Sequence, residues 1–142
     1  MNMQQEHIIS LNDLALGYER TGTLLNKINA EVRAGEMVAL IGKNGSGKST
    51  LLRTIAALKK PGEGGVLIFN QLNTSIPAIS FAKILSLVES GSSAIENLSV
   101  YEFVSMGRIP YTNWWGRIRG KDHDKIIEAI GFVGMEDFLE AC

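Results

Sequence analysis

The 142-residue sequence predicts an α/β fold organised around a phosphate-binding loop. Residues 37–41 form a continuously apolar run, which is typical of a strand buried on both faces. The residues that follow match the pattern G-x-x-x-x-G-K-[ST]. Apolar residues then recur at helical spacing, namely Leu51, Leu52, Ile55 and Leu58. A strand, a glycine-rich loop and a helix in this order are the expected context of a nucleotide-phosphate site.

Two strands are predicted before the loop. Residues 7–16 alternate between apolar and polar positions, and the alternation changes register across Asn12 and Asp13, which indicates a β-bulge. A turn-like segment, 17–22, follows. Residues 28–32 alternate again, as in a strand with one exposed face. The sequence therefore predicts a hairpin in front of the buried strand.

After the loop, the helix is predicted to end at Lys60-Pro61-Gly62, because proline and glycine do not continue a helix. Short strands are predicted at 66–69 and at 84–88. Gly91-Ser92-Ser93 has the composition of a linker, so we place a boundary there between a first region, 1–90, and a second region, 91–142.

The second region is predicted to be helical. Ser99 and Glu102 form a capping-box pattern before an apolar helix. Residues 107–120 are loop-like and rich in aromatic side chains. Residues 122–130 are amphipathic, with isoleucines on one side of the predicted helix.

The chemistry of the loop explains each residue type in the pattern. Glycines let the backbone approach phosphate oxygens closely, and successive N–H groups, together with those of the following helix, face the anion. Lys48 is expected to reach the β- and γ-phosphates, and the Ser49 hydroxyl to bind Mg²⁺. The candidate residues are Gly42, Lys43, Asn44, Gly45, Ser46, Gly47, Lys48, Ser49 and Thr50.

A charge count favours ATP or GTP with a metal over a smaller anion. A fully ionised triphosphate carries about −4, of which Mg²⁺ offsets about 2, Lys48 about 1 and the helix end about 0.5. An ordinary glycine-rich turn is the alternative to a phosphate site. The apolar run before the loop and the helical pattern after it favour the site.

Composition excludes several classes of protein. Fourteen basic and fifteen acidic residues give a net charge of −1, which argues against nucleic acid as the main partner. Residues 1–10 lack a basic stretch followed by an apolar one, so we expect no secretory signal there. No apolar run approaches the ~20 residues that a membrane helix needs. Cys142 is the one cysteine, which fits a reducing cytoplasm. We expect a cytosolic protein, or one held at a membrane by a partner.

With these motifs assigned, the chain resembles the ATP-binding cassette family, the ATPase subunits of ABC transporters. The loop at 42–50 has that family's form, and Tyr18 stands in a Gly-Tyr turn where the family carries an aromatic residue that stacks on adenine. Residues 96–100 resemble the entry into the family's helical subdomain. Residues 106–111 and 114–117 resemble the branch that serves iron–siderophore, haem and cobalamin importers.

This resemblance implies a P-loop NTPase core, with a mixed sheet and an antiparallel β flank, in residues 1–90. It implies the start of an α-helical subdomain in residues 91–142. The implied cofactors are ATP and Mg²⁺, with Tyr18 on adenine and Ser49 on the metal. The implied partners are a transmembrane permease subunit and a second copy of the full-length ATPase. The implied place is the cytoplasmic face of the plasma membrane, where ATP would drive uptake of an iron–siderophore-type metal chelate.

The chain departs from the family's pattern in two respects. The family usually carries a glutamine after the strand corresponding to 84–88, where this chain has Glu89 and Ser90. The sequence also contains no L-S-G-G-Q-like signature, no apolar strand that ends in Asp-Glu and no later switch histidine. We therefore expect an N-terminal portion of such a subunit that binds nucleotide without hydrolysing it, and we assign no catalytic residue.

Other interpretations remain open at this point. The loop is also compatible with another P-loop enzyme, such as a nucleotide or small-molecule kinase, and with a non-catalytic fragment that binds nucleotide or a partner. Asp122-His123-Asp124 is interpreted as the solvated start of a helix rather than a metal cluster, and His7 as a strand-edge residue. Packing within the helical subdomain is the preferred role for Trp114 and Trp115, with contact to a membrane partner as the alternative.

Overall fold

The fold is described from a computed structural model that places residues 7–18, 22–89, 98–113 and 115–139. The chain divides into two compact units, Met1–Leu87 and Val88–Cys142. The division of function between residues 1–90 and 91–142 stays a prediction.

The first unit contains a four-stranded sheet in the order β2-β1-β3-β4. Its strands are β1 (His7–Tyr18), β2 (Gly22–Arg33), β3 (Glu63–Ile68) and β4 (Gln71–Leu72). Every neighbouring pair is antiparallel. The predicted hairpin and the antiparallel flank are therefore both confirmed.

A β-bulge interrupts β1 where the sequence predicts one. Asp13 has a φ of 44°, and the pairing of β1 with β2 shifts register between Leu11 and Leu14. Asn29 of β2 holds the bulge: its Oδ1 accepts a hydrogen bond of 2.8 Å from the backbone N–H of Asp13, and its Nδ2 donates one of 3.0 Å to Asp13 Oδ1. On the other side of β1, Gly64 of β3 has a φ of 70°, and a Cβ there would overlap the carbonyl oxygens of the bulge.

One hydrophobic cluster lies between the sheet and the helix that follows the loop. Helix α1 spans Lys48–Ile55 and contributes Leu51 to this core. Leu14 and Leu16 of β1 are almost completely buried in it. The other buried members are Leu11, Val66, Ile68 and Phe81, the last of these from the short helix α2 (Ala78–Phe81). The core therefore fixes α1 against the antiparallel sheet.

Helix α1 is shorter than predicted. It ends at Ile55 instead of continuing to residue 60, and Leu58 is exposed. The helix ends where Ala57 takes a left-handed φ of 56° and its N–H donates a 3.1 Å hydrogen bond to the Thr54 carbonyl oxygen. The buried Asn73, distant in sequence, donates further hydrogen bonds of 2.7 Å and 3.1 Å to the carbonyl oxygens of Thr54 and Ile55. Asn73 thus stabilises the last turn, whose carbonyl oxygens lack regular intrahelical donors.

Two of the predicted strands are wrong. Residues 37–41 form no ladder, and Met37 and Ile41 are 98% and 91% exposed. Residues 84–88 also form no strand, and Val88 is 94% exposed. A strand buried on both faces needs neighbouring strands and covered faces. In the part of the chain that the structure describes, neither segment has a neighbouring strand, although Leu85 packs against the core. The predicted strand at 66–69 is confirmed as β3, which ends at Ile68.

The second unit contains the predicted helices, but residues 107–111 of the predicted loop form part of a 3₁₀ segment. It contains α3 (Val100–Ser105), a 3₁₀ segment (Met106–Tyr111) and α4 (Gly120–Phe132). The capping box is confirmed, since the backbone N–H of Glu102 donates to Ser99 Oγ and the Glu102 carboxylate accepts from the Ser99 N–H at 2.9 Å. The predicted linker, 91–93, lies outside the described residues.

An ion pair joins the 3₁₀ segment to α4. Arg108 donates hydrogen bonds of 3.0 Å and 2.7 Å from Nε and Nη2 to Asp122 Oδ1, and its guanidinium carbon lies 4.0 Å from the centre of the Tyr111 ring. The pKa of Asp122 lies below its ordinary value, mainly because its carboxylate accepts these hydrogen bonds from Arg108. Asp122 is thus paired, and it is not the fully solvated helix-start residue that the sequence indicates.

We expect Arg108→Leu to raise the pKa of Asp122 towards its ordinary value, as measured by ¹³C NMR titration of the carboxyl group. Because the pKa is depressed in the folded state, the pair stabilises the fold above the ordinary aspartate pKa, and this contribution is lost as pH falls through the folded pKa. Arg117→Leu is the matched control. An Asp122 titration that is the same in both variants would contradict the assignment.

Candidate functional site

The loop of residues 42–47 connects the exposed segment 37–41 to the first turn of α1. The side chain of Lys48 folds back over this loop, and its Nζ donates hydrogen bonds of 2.8 Å to the carbonyl oxygen of Gly42 and 2.7 Å to that of Lys43. A backbone hydrogen bond of 3.2 Å from Ser46 N–H to the Lys43 carbonyl closes the turn. The ammonium group of Lys48 is therefore held against the backbone of a glycine-rich turn.

Gly47 forms the junction between the loop and α1. It is the N-cap residue with a φ of 97°, a left-handed conformation that favours glycine, and no side chain caps the helix. The first turn of α1 contains no acidic residue. The first N–H groups of an α-helix have no intrahelical acceptors, and they favour an anion through the helix dipole. This helix end, with Lys48 beside it, has the donors and the charge that a phosphate group needs.

The remaining loop residues differ in exposure. Lys43, Asn44 and Gly45 are exposed, whereas Gly47 is buried. Ser49 is exposed in the first turn of α1, so its hydroxyl is accessible from solvent. The side chain of Thr50 is buried, and its carbonyl oxygen accepts a 2.8 Å hydrogen bond from Thr54 Oγ1. The structure thus exposes residues 42–45 and Ser49, whereas Gly47 and the Thr50 side chain are buried.

Tyr18 is the last residue of β1, and its backbone pairs with Gly22 across the hairpin. The position of its side chain lies outside what the structure describes. Its role on adenine therefore stays a prediction. Glu89 is exposed, and Ser90, Trp114 and Cys142 lie outside the described residues, as do residues 96–97. Trp115 is 82% exposed, so the predicted packing role is wrong for this residue.

Each of the two histidines contacts one polar side chain of a neighbouring element. His7 Nδ1 lies 2.8 Å from a carboxylate oxygen of Glu31 at the strand edge. His123 Nδ1 lies 2.9 Å from the hydroxyl oxygen of Tyr101, which joins α3 to α4. Within residues 7–18, 22–89, 98–113 and 115–139, no group of His, Cys, Asp and Glu side chains is placed to hold a metal ion.

An apolar groove lies elsewhere in the first unit. Its volume is about 530 Å³, and its lining includes Ala57, Ile76, Phe81 and Leu85 but none of residues 42–50. The lining is mostly apolar with Lys60 as its one charged residue, and it contains no part of the glycine-rich loop. The loop, and not this groove, is the candidate site.

Sequence reasoning did not find two residues that contact the loop. Leu24 and Leu25 of β2 cover Gly47, which is more than 20 residues later in the chain. Neither leucine belongs to a motif, and only the register of the hairpin brings them to this place. No signal in the sequence separates them from ordinary strand residues.

One family model and two relatives that match this chain describe transporters or ATP-binding proteins of transport systems. A family model described as "ABC transporter" matches residues 25–141. The chain is 36% identical over 132 residues to the "Probable siderophore transport system ATP-binding protein YusV" of Bacillus subtilis (strain 168), which covers 93% of this chain and 48% of that protein. It is 37% identical over 127 residues to the "Petrobactin import ATP-binding protein FpuD" of Bacillus anthracis, with coverage of 89% and 46%.

Among solved structures, the chain resembles the ATP-binding cassette MJ0796 in its dimeric post-hydrolysis state bound to ADP and Pi. The TM-score is 0.76 at 27% identity, over 93% of this chain and 60% of that one. The predicted α/β P-loop fold is thereby confirmed. The chain spans about half the length of the curated relatives it matches. In the described part of the chain, no helix has the length and apolar character needed to cross a bilayer.

Proposed function

This chain belongs to the ABC transporter family, and from that premise we propose that it binds ATP at residues 42–50 as the nucleotide-binding part of an importer. The observation that carries the proposal is the position of Lys48, whose ammonium group bonds to two carbonyl oxygens of the loop directly before the uncapped start of α1. A cation, the start of a helix without a side-chain cap and a glycine-rich turn occur together here.

Each loop residue then has a role that its position supports. The N–H groups at the start of α1 donate to phosphate oxygens, because they have no acceptor within the helix. Lys48 transfers its hydrogen bonds from the carbonyls of Gly42 and Lys43 to the phosphates when the ligand enters. Exchange of neutral acceptors for charged ones favours binding, since hydrogen bonds between charged groups are the stronger kind.

The residues also fit a Mg²⁺ ion that arrives with the nucleotide. Ser49 is exposed in the first turn of α1, next to Lys48, and its hydroxyl is an oxygen ligand of the type that Mg²⁺ accepts. When bound, Mg²⁺ neutralises phosphate charge and fixes the orientation of the β- and γ-phosphates. Most of its remaining ligands are expected to be water and phosphate oxygens.

We propose further that the importer takes up an iron–siderophore-type metal chelate. The support is the similarity to YusV and FpuD, whose names describe siderophore and petrobactin transport, over most of this chain. In the proposed complex a transmembrane permease subunit and a second ATPase subunit are the partners, at the cytoplasmic face of the plasma membrane. The dimeric state of the MJ0796 cassette supports the second subunit.

Titration with a fluorescent ATP analogue at fixed Mg²⁺ tests the central proposal. Saturable binding that unlabelled ATP reverses is the expected result. The absence of saturable binding, by a chain whose circular dichroism spectrum shows it to be folded, would refute nucleotide binding at this loop.

Tyr18→Ala tests recognition of the base. If the ring stacks on adenine, the variant should bind ATP about 5- to 100-fold more weakly, while its affinity for inorganic tripolyphosphate should not change. Tyr18→Phe keeps the aromatic face and should behave like the parent. An equal loss for both ligands would show that Tyr18 acts on the fold of the hairpin instead.

A further inference from the structure

The register shift of the hairpin that lies closest to its turn falls between Leu16 and Gly17 of β1. Leu16 pairs with Leu25 and Gly17 pairs with Thr23, so Leu24 is an extra residue in β2 without a partner in β1. Consecutive side chains of a regular strand point to opposite faces. A bulge inserts one residue, bends the strand and re-aims a side chain. The bulge at Leu24 therefore allows two successive leucines to approach the same point.

That point is Gly47. A Cβ built on this glycine would lie 2.9 Å from Cδ2 of Leu24 and 3.2 Å from Cδ1 of Leu25. The two side chains thus contact the glycine directly, and Gly47 is buried although Gly45 and Ser49 on either side are exposed. Leu24 and Leu25 keep 40% and 38% of their surface exposed, so their contact with the loop is not a consequence of complete burial in the core.

We propose that Leu24 and Leu25 are positioning residues for the phosphate loop. Glycine loses more conformational freedom on folding than any other residue, so a glycine-rich loop is costly to hold in one shape. The two leucines restrict Gly47 to its left-handed turn, and Gly47 sets the direction of the first N–H groups of α1 and of Lys48. A site that is ordered before the ligand arrives binds it more tightly.

The proposal rests on phosphate binding at this loop, and it adds a long-range element to the site. The hairpin, through the register of β1 and β2, orders a loop that is otherwise made of small and polar residues. Leu24 and Leu25 act through Gly47 and not through contact with the ligand. Their truncation should therefore affect any ligand that carries the phosphate chain, whatever base it bears.

The test uses Leu24→Ala, Leu25→Ala and, as a matched control, Leu58→Ala, which removes an exposed leucine beyond α1. Calorimetry with Mg²⁺ measures the affinities for ATP and for inorganic tripolyphosphate. Hydrogen exchange without ligand measures protection of the amides at 47–49. Both leucine variants should bind ATP and tripolyphosphate more weakly by the same factor, about 3- to 10-fold. Hydrogen exchange of the amides at 47–49 should be faster in both variants than in the parent. Leu24→Met should restore most of both properties, since it refills the space.

Three results would overturn the proposal. Unchanged affinities in variants of a protein that does bind ATP would show that the leucines do not order the loop. Loss of ATP affinity alone would show direct contact with the nucleoside. If the parent chain bound neither ligand, the proposed function would fail, and the exchange rates would still decide: equal protection in parent and variants would refute the positioning role. Leu24→Val, a smaller truncation, serves if the alanine variants do not fold.

Discussion

Lys48→Ala is expected to weaken ATP binding by about 10- to 100-fold, with a similar loss for inorganic tripolyphosphate. The variant loses the cation at the loop and also the two hydrogen bonds that Lys48 Nζ donates to the carbonyls of Gly42 and Lys43. Without the ligand, the loop of this variant would carry less positive charge and would be less ordered than in the parent. Both effects act on the phosphate chain, so the nature of the base should not matter. The fluorescent ATP analogue, with competition by each unlabelled ligand, measures the effect.

Two further variants separate charge from other causes. Lys48→Met keeps an unbranched side chain without the ammonium group, and it should lose as much affinity as alanine if the charge dominates. Lys125→Ala removes one positive charge from an exposed position on α4, and it should bind like the parent. Binding by Lys48→Ala that matched the parent would contradict the assignment of this lysine to the phosphates.

Gly64→Ala is expected to destabilise the first unit by about 2–4 kcal/mol. The residue lies in β3 opposite the bulge of β1, with a φ of 70°, and an added Cβ would overlap the carbonyl oxygens of Asn12 and Asp13. Both neighbours are backbone atoms and have no side-chain rotamer that could relieve the overlap. The bulge is in turn fixed by Asn29, so the strain cannot be released by a simple shift of β1. Urea unfolding followed by circular dichroism measures the loss.

Gly35→Ala distinguishes steric overlap from backbone strain. Gly35 also has a left-handed φ, of 81°, but nothing lies within 4 Å of a Cβ at that position. This variant should lose only about 1–2 kcal/mol, the cost of left-handed backbone for a residue other than glycine. If the two variants lost the same stability, close packing of β3 on the bulge would not be the cause.

Local patterns in the sequence predicted the features that depend on near neighbours. The loop at 42–49, the bulge at Asn12 and Asp13 and the capping box of Ser99 and Glu102 are each a few residues long. The hydrogen bonds of the loop and of the capping box join residues close in sequence, since glycine permits left-handed backbone and serine caps a helix. The bulge is indicated by the local alternation, although its hydrogen bonds go to Asn29, 16 residues after Asp13. The same patterns located the candidate site residues, apart from Leu24 and Leu25.

The predictions that proved wrong concern features that depend on residues distant in the sequence. The apolar run at 37–41 has the composition of a buried strand, but composition does not supply the neighbouring strands that bury it, and Met37 and Ile41 remain exposed. The last turn of α1 is stabilised by Asn73, 18 residues after Ile55, through a hydrogen bond that helix propensity does not contain. Asp122 likewise takes its partner, Arg108, from another element.

Short-range backbone chemistry in the sequence specifies the glycine-rich loop and the helix that follows it, and the apolar alternation on either side of Asn12 and Asp13 indicates the bulged hairpin. Only tertiary contacts determine which apolar segments are covered and which side chains contact Gly47. Those outcomes depend on the register between β1 and β2 and on contacts between residues far apart in the chain. A one-residue bulge at Leu24 brings two leucines onto the loop, and no local pattern distinguishes that arrangement from a regular strand.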